Sequence, residues 1–271
     1  MEANPTLILL ASAFAGALIS SFAGFAFAPV AGVILLTAFA PDAVIPTLMV
    51  CSIVVQATTL LYLRRSLVFG TTGMMLAGGA LGVPLAIMLF NSMDGNALQI
   101  AFGLFLATYA TVMLLRPCAR VRIASSRSRD ATAGFLGGFV GGLTAMPGAV
   151  PVLYCDCRGV SKEAQRTTVQ PFILAMQVLA LLLMGMNGHL NGEVAELVIK
   201  AMPALALGIA AGLFLFGRVP EAGFRRAVLM LLLATGLALA GKSSAWAGQA
   251  RQDTCETQSG ALGACPLLAH R

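Results

Sequence analysis

Two glycine- and proline-rich interruptions of long apolar runs are the strongest candidates for a binding site. They fall at residues 20–29 and 141–148. A helix interrupted inside a membrane leaves backbone N–H and C=O groups unpaired, which is tolerated only where protein or a water-filled cavity covers them. A half-helix that begins near Pro29 or Pro147 would direct N–H groups and a partial positive charge into such a cavity. We therefore expect an anion site to which these residues contribute: Ser20, Ser21, Gly24, Pro29, Gly142, Thr144, Pro147 and Gly148.

Close helix packing is the alternative explanation for these glycines, because small residues let membrane helices approach each other. The pairs Gly78/Gly82 and Gly208/Gly212 each place two glycines on one helix face. For these two pairs we expect packing alone.

Three polar side chains inside or beside apolar stretches are candidate ligand contacts. Gln56 and Gln177 lie near the middle of apolar segments, where an unbonded amide is costly. They either contact a ligand or form an interhelical hydrogen bond. Arg166, at the start of the apolar stretch after the second interruption, either pairs with an anionic substrate or marks the membrane interface.

Cys155 and Cys157 form a C-x-C pair, which suggests a membrane thiol-redox or metal-handling protein as an alternative function. A third possibility is a membrane partner in an assembly that transports nothing alone. The chain has no H-E-x-x-H, G-x-S-x-G or C-x-x-C motif, and its two histidines are far apart in sequence. We therefore expect no catalytic residue, no cofactor and no bound metal.

Composition sets the class of protein that must hold these residues in place. Of 271 residues, 58% are hydrophobic and 10% are charged, with 17 Lys/Arg, 11 Asp/Glu and a net charge of +6. A soluble domain carries about 25% charged residues. The sequence thus predicts an all-α integral membrane protein with about 8–10 transmembrane or half-membrane helices. The cations lie in short clusters between apolar runs, which argues against nucleic-acid binding and makes the bilayer the expected partner.

The apolar segments predict where the helices lie. Residues 6–40 should form two helices in a hairpin or one broken helix, and residues 132–156 should be broken by Pro147 and Pro151. Pro41, Asp42 and Pro46 predict a turn, and residues 158–166 predict another. Uninterrupted helices are expected over residues 43–63, 69–90, 97–115, 167–186, 195–216 and 224–240.

The two halves of the chain resemble each other. Three residues of the first half recur 118 positions later in the second half. Gly16, Gly24 and Pro29 correspond to Gly134, Gly142 and Pro147. We interpret this as an internal duplication of the kind found in transporter folds. The predicted units are a first transmembrane repeat (1–115), a basic cytoplasmic linker (116–130), a second repeat (131–241) and a polar tail (242–271).

Charge favours one topology. If each interrupted segment turns back to the side from which it entered, most of the cations fall on one face, in agreement with the positive-inside rule. The halves would then be inverted with respect to each other, with both termini outside the cytoplasm. If each segment crosses once, the cations are divided less unevenly.

Several stretches resemble the TauE/SafE sulfite-exporter family over residues 6–241. In the second half these are residues 134–142, Pro147, 151–154, 158–162 and 166–168; in the first half they are 16–29, 42–47 and 61–65. The resemblance implies a multispanning secondary transporter of bacterial inner membranes for sulfite, sulfonates or related organic anions. We expect alternating access around the two interruptions, a small anionic substrate and protons as the coupling ion.

Overall fold

The computed structural model describes residues 4–23, 26–63, 69–115, 124, 126–215, 230, 233 and 236. Nine helices lie within this part of the chain. They are α1 (Pro5–Ala23), α2 (Phe27–Leu35), α3 (Pro41–Leu63), α4 (Phe69–Ser92), α5 (Gly95–Leu115), α6 (Arg127–Thr144), α7 (Ala149–Arg158), α8 (Lys162–Met186) and α9 (Gly192–Leu215). The predicted tail, most of the predicted linker and most of the helix expected at 224–240 lie outside the described residues.

The helices confirm an all-α membrane protein. Within the described ranges, α3, α4, α5, α8 and α9 are long and apolar enough to cross a membrane. Large apolar side chains on these helices, such as Leu81, Met88 and Leu207, face outward. Such exposure is typical of a surface in contact with lipid rather than water.

Three predicted boundaries were wrong, each for a local reason. Pro41 and Pro46 lie inside α3 instead of a turn, and Pro41 starts the helix at a position where no N–H is needed. The polar turn after α7 is shorter than predicted, because the Ser161 hydroxyl accepts a hydrogen bond from the Ala164 N–H and begins α8 there. Helix α6 begins at Arg127, so the last residues of the predicted linker are helical.

The two interrupted segments are antiparallel hairpins, which decides between the alternatives left open by the sequence. In the first hairpin, a Cβ built on Gly16 of α1 would lie 2.9 Å from the Ala31 Cβ of α2. In the second hairpin, a Cβ on Gly137 of α6 would lie 2.8 Å from the Pro147 carbonyl oxygen and the Pro151 Cδ. Each segment therefore turns back on itself, as the favoured topology requires.

Packing between helices repeats in the two halves. Helix α6 packs on α4 as α1 packs on α9, α8 packs on α4 as α3 packs on α9, and α3 and α8 pack on each other. By its contacts, Gly16 in the first hairpin is equivalent to Gly137 in the second. The sequence repeat had instead suggested Gly134, one helical turn earlier. The inverted orientation of the halves stays a prediction.

Glycines hold the hairpins against the long helices, as predicted. A Cβ on Gly78 of α4 would lie 1.9 Å from the Ala131 carbonyl oxygen of α6. A Cβ on Gly208 of α9 would lie 2.5 Å from the Phe14 carbonyl oxygen of α1. No side chain larger than hydrogen fits at such backbone-to-backbone contacts.

Candidate functional site

Helix α8 contacts the tips of both hairpins. Arg166 Nη2 donates to the Ser21 carbonyl oxygen near the end of α1, at 3.3 Å. Gln177 Nε2 donates to the Ala145 carbonyl oxygen at the tip of the second hairpin, also at 3.3 Å. The two residues are eleven positions apart, which corresponds to about 16 Å of helix. The predicted contacts Arg166 and Gln177 therefore lie on one element that connects the two interruptions.

Arg166 lies in the second turn of α8, rather than at its start as predicted, and its side chain is partly buried. Its hydrogen bond holds the guanidinium beside the first hairpin. A guanidinium keeps its charge and offers several donors, so it can hold a backbone carbonyl and an anion at the same time.

Gln177 is buried, and its Nε2 also donates to the Ser52 hydroxyl of α3 at 2.9 Å. Ala145 has a left-handed backbone with φ 57°, which ends α6 and turns its carbonyl toward α8. The Nε2 group thus makes the interhelical hydrogen bonds of the alternative explanation, whereas Oε1 has no partner among the described residues. Gln56 is equally buried in α3.

Both short helices begin at buried positions without a side-chain cap. Ala26 precedes α2 and Gly148 precedes α7, and neither supplies a capping side chain. Ala145 and Met146, before α7, are 1% and 5% exposed. A buried helix start has N–H groups that need acceptors and carries a partial positive charge. The start of α2 is therefore suited to an anion, whereas at α7 the Ala149 N–H already donates to the Met146 carbonyl and Pro151 has no N–H, which leaves Val150 as the donor of the first three residues.

The structure separates packing residues from candidate ligand contacts among the predicted set. A Cβ on Gly142 would lie 2.5 Å from the Ala86 Cβ of α4, so this glycine occupies a helix interface. Ser21 faces Gly212 of α9, and its buried hydroxyl, like that of Ser20, has no partner among the described residues. The Thr144 hydroxyl donates to the Val140 carbonyl within its own helix.

Three more members of that set lie at or near the hairpin tips. Pro29 is buried in α2, and Pro147 is buried in the turn before α7. A Cβ on Gly148 would lie 2.5 Å from the Ile173 Cδ1, so this glycine lets the second tip approach α8 closely. Gly24 lies outside the described residues.

Ser20 has the features expected of a ligand contact. It is 1% exposed, and its hydroxyl has no hydrogen-bond partner among the described residues. It lies one turn after Gly16, whose face of α1 contacts α2. Ser20 is thus on the side of α1 that faces α2, whose start has no side-chain cap.

Gln170 was missed by the sequence reasoning. It is 2% exposed, and neither polar atom of its amide has a partner in the described part of the chain. It lies four residues after Arg166 and seven before Gln177, so the three share a face of α8. That spacing was the signal that could have identified it.

The cysteines do not form a redox pair with each other. Cys155 is a buried free thiol, whereas Cys157 is disulfide-bonded. The described residues contain no group of three or more His, Cys, Asp or Glu side chains placed to hold a metal ion. The thiol-redox or metal-handling function stays an untested alternative without geometric support.

Residues 236–243 have the spacing G-x-x-x-x-G-K-S of a phosphate-binding loop. In that motif the glycines follow a strand and form a loop. Gly236 instead is helical, and a Cβ on it would lie 2.9 Å from the Gly103 carbonyl oxygen of α5. The glycine at position 236 therefore allows close packing against α5 and does not form a phosphate-binding loop.

A polar cluster joins the far ends of the second hairpin. Asp130 of α6 is 4% exposed and accepts a hydrogen bond from the Tyr154 hydroxyl of α7 at 2.6 Å. Arg158 Nη1 lies 3.5 Å from the same carboxylate, and its guanidinium lies over the Tyr154 ring, 5.6 Å from the centroid. This cluster fixes α7 against α6. Asp130, the last residue of the predicted linker, thus lies in α6.

Five membrane-length apolar helices among the described residues, with two hairpins packed between them, define a multi-pass membrane protein. The family model described as sulfite exporter TauE/SafE matches residues 8–239, so the chain belongs to this family of membrane transport proteins. Searches of curated proteins and of solved structures returned no match.

Proposed function

We propose that this chain is a secondary active transporter of the bacterial inner membrane that moves a small anion with a sulfite- or sulfonate-like head group, coupled to protons. The observation that carries the proposal is the contact of Arg166 with the Ser21 carbonyl, which holds a guanidinium beside a hairpin tip. Family membership supports transport as the activity.

The anion would bind to one fully charged group, the Arg166 guanidinium, and to the partial positive charges at the starts of α2 and α7. The Arg166 guanidinium would pair with the oxyanion, because charge-assisted hydrogen bonds are the strong ones. The uncapped starts of α2 and α7 would supply backbone N–H donors. The Ser20 hydroxyl would add a further donor.

Alternating access requires that the ligand contact the protein differently in its inward- and outward-open states. The two hairpins are suited to this, because each packs on a long helix of the other half. A relative movement of the halves would change the distance from α8 to each tip. A proton that accompanies a monoanion would make the step electroneutral, so the membrane potential would not oppose it.

The test is uptake of sulfite, methanesulfonate and acetate by proteoliposomes, with a pH-sensitive dye inside. Arg166→Ala should abolish anion flux, and Arg166→Lys should keep part of it because the charge remains. Arg129→Ala is the matched control, since Arg129 is an exposed arginine on α6. Flux that persists in Arg166→Ala at the wild-type rate would overturn the proposed site, and flux without a change in internal pH would overturn proton coupling.

A further inference from the structure

Gln170 is the one fully buried amide side chain in the described part of the chain for which neither polar atom has a hydrogen-bond partner. A buried donor or acceptor without a partner costs the free energy of its desolvation. The side chain therefore destabilises the ligand-free protein, which indicates a partner other than these residues.

The position of Gln170 suggests what that partner is. Along α8, the residues 166, 170, 173 and 177 form one stripe at spacings of four, three and four. Arg166 contacts the first hairpin, and Ile173 and Gln177 contact the second. The unpartnered amide thus lies between the contacts to the two tips, one turn from the proposed anion-binding guanidinium.

We propose that Gln170 is a specificity-determining ligand contact, and that its amide binds an anion which also carries a hydrogen-bond donor. This inference rests on the proposed function and assigns a substrate class to the same site. The amide has two polar ends, a donor at Nε2 and an acceptor at Oε1. An oxyanion oxygen satisfies Nε2, but only a hydroxyl, an amino group or a protonated oxygen satisfies Oε1.

A plain anion would leave Oε1 buried and unpaired. A site whose polar groups are paired only by one ligand rejects an isosteric analogue that lacks the pairing group. The expected substrate is therefore a small hydroxy- or amino-substituted anion, or an oxyanion that keeps one proton. An unsubstituted alkyl anion of the same size should bind more weakly.

The experiment compares Gln170→Met with Gln165→Met in the full-length protein. Both replacements keep the length of the side chain and remove its amide. Gln165 is the matched control on the same helix, because its Nε2 donates to the Val152 carbonyl at 3.0 Å and to Asp156 Oδ1 at 3.1 Å. Without ligand, Gln170→Met should raise the melting temperature, whereas Gln165→Met should lower it.

Flux is then measured with 2-hydroxyethanesulfonate and propane-1-sulfonate, which have the same charge and nearly the same size. The wild-type protein should prefer the hydroxylated probe by about tenfold in KM, which corresponds to about 1.4 kcal/mol. Gln170→Met should remove this preference by raising the KM for the hydroxylated probe alone. Gln165→Met should keep it.

The outcomes separate the two proposals. A wild-type protein that moves neither probe, and none of the simpler anions, overturns the proposed function. Flux with equal preference for the two probes, or a preference that survives in Gln170→Met, overturns the role of Gln170 and leaves the transporter intact. A lower melting temperature for Gln170→Met would show that the amide has a structural partner, and would also overturn the inference.

Discussion

Replacing Gly78 with alanine is expected to force α4 away from α6. The added Cβ would lie 1.9 Å from the Ala131 carbonyl oxygen, 2.8 Å from the carbonyl carbon of the same residue and 2.9 Å from the Phe135 backbone nitrogen. All three atoms belong to the backbone of α6, so no change of rotamer can relieve the contact. The two helices must separate along their interface.

The size of the effect follows from a control on the same helix. A Cβ on Gly73 would meet no atom within 4 Å. At that position alanine should stabilise the helix by about 1 kcal/mol, because alanine loses less backbone entropy than glycine. At Gly78 the same gain is opposed by overpacking, which costs about 1–3 kcal/mol in a packed interior. The difference between the two variants isolates the overpacking, since the helix-propensity gain is common to both.

Thermal melting of the two purified variants in one detergent measures this difference. At about 2–4 °C per kcal/mol for a chain of this size, a 2 kcal/mol penalty lowers the melting temperature of Gly78→Ala by about 4–8 °C relative to Gly73→Ala. Equal melting temperatures would refute the close backbone contact between α4 and α6. Loss of monodisperse protein for Gly78→Ala alone would support it.

Three further predictions concern buried polar contacts, and melting temperature tests each. Asp130→Ala should destabilise the protein by about 3 kcal/mol because it leaves Arg158 without its carboxylate. The double variant Asp130→Leu/Arg158→Met should recover most of that loss, and a double variant less stable than the single one would contradict the ion-pair explanation. Gln177→Leu should cost about 1–3 kcal/mol because the Ala145 carbonyl loses its donor; an unchanged melting temperature would contradict this.

Most helices could be predicted from hydropathy, but their boundaries depended on local details. A run of about twenty apolar residues is enough to indicate a membrane helix. Where a helix begins is decided by single groups, such as the Ser161 hydroxyl that caps α8 or Pro41 at the first position of α3. Hydropathy does not contain this information, which is why the prediction placed both starts too late.

The sequence was enough to identify two polar residues of the candidate site, but not to identify the groups that they contact. Arg166 and Gln177 were identified because polar groups are expensive in an apolar stretch. Their partners were not, since Arg166 meets a carbonyl 145 residues away and Gln177 meets one 32 residues away. Gln170 was overlooked because, in sequence, a paired and an unpaired buried amide look the same.

The sequence by itself determined that this is an all-α membrane protein, because the cost of placing a residue in hydrocarbon depends mainly on its type and its immediate neighbours. The resemblance to the TauE/SafE family was also visible in the sequence, and the family model that matches residues 8–239 confirms it. Only the tertiary structure separated the glycines of the second interruption by role. Gly142 packs α6 against α4, whereas Gly148 lets a hairpin tip approach α8. That distinction depends on which atoms lie opposite each Cα, and distant parts of the chain supply those atoms.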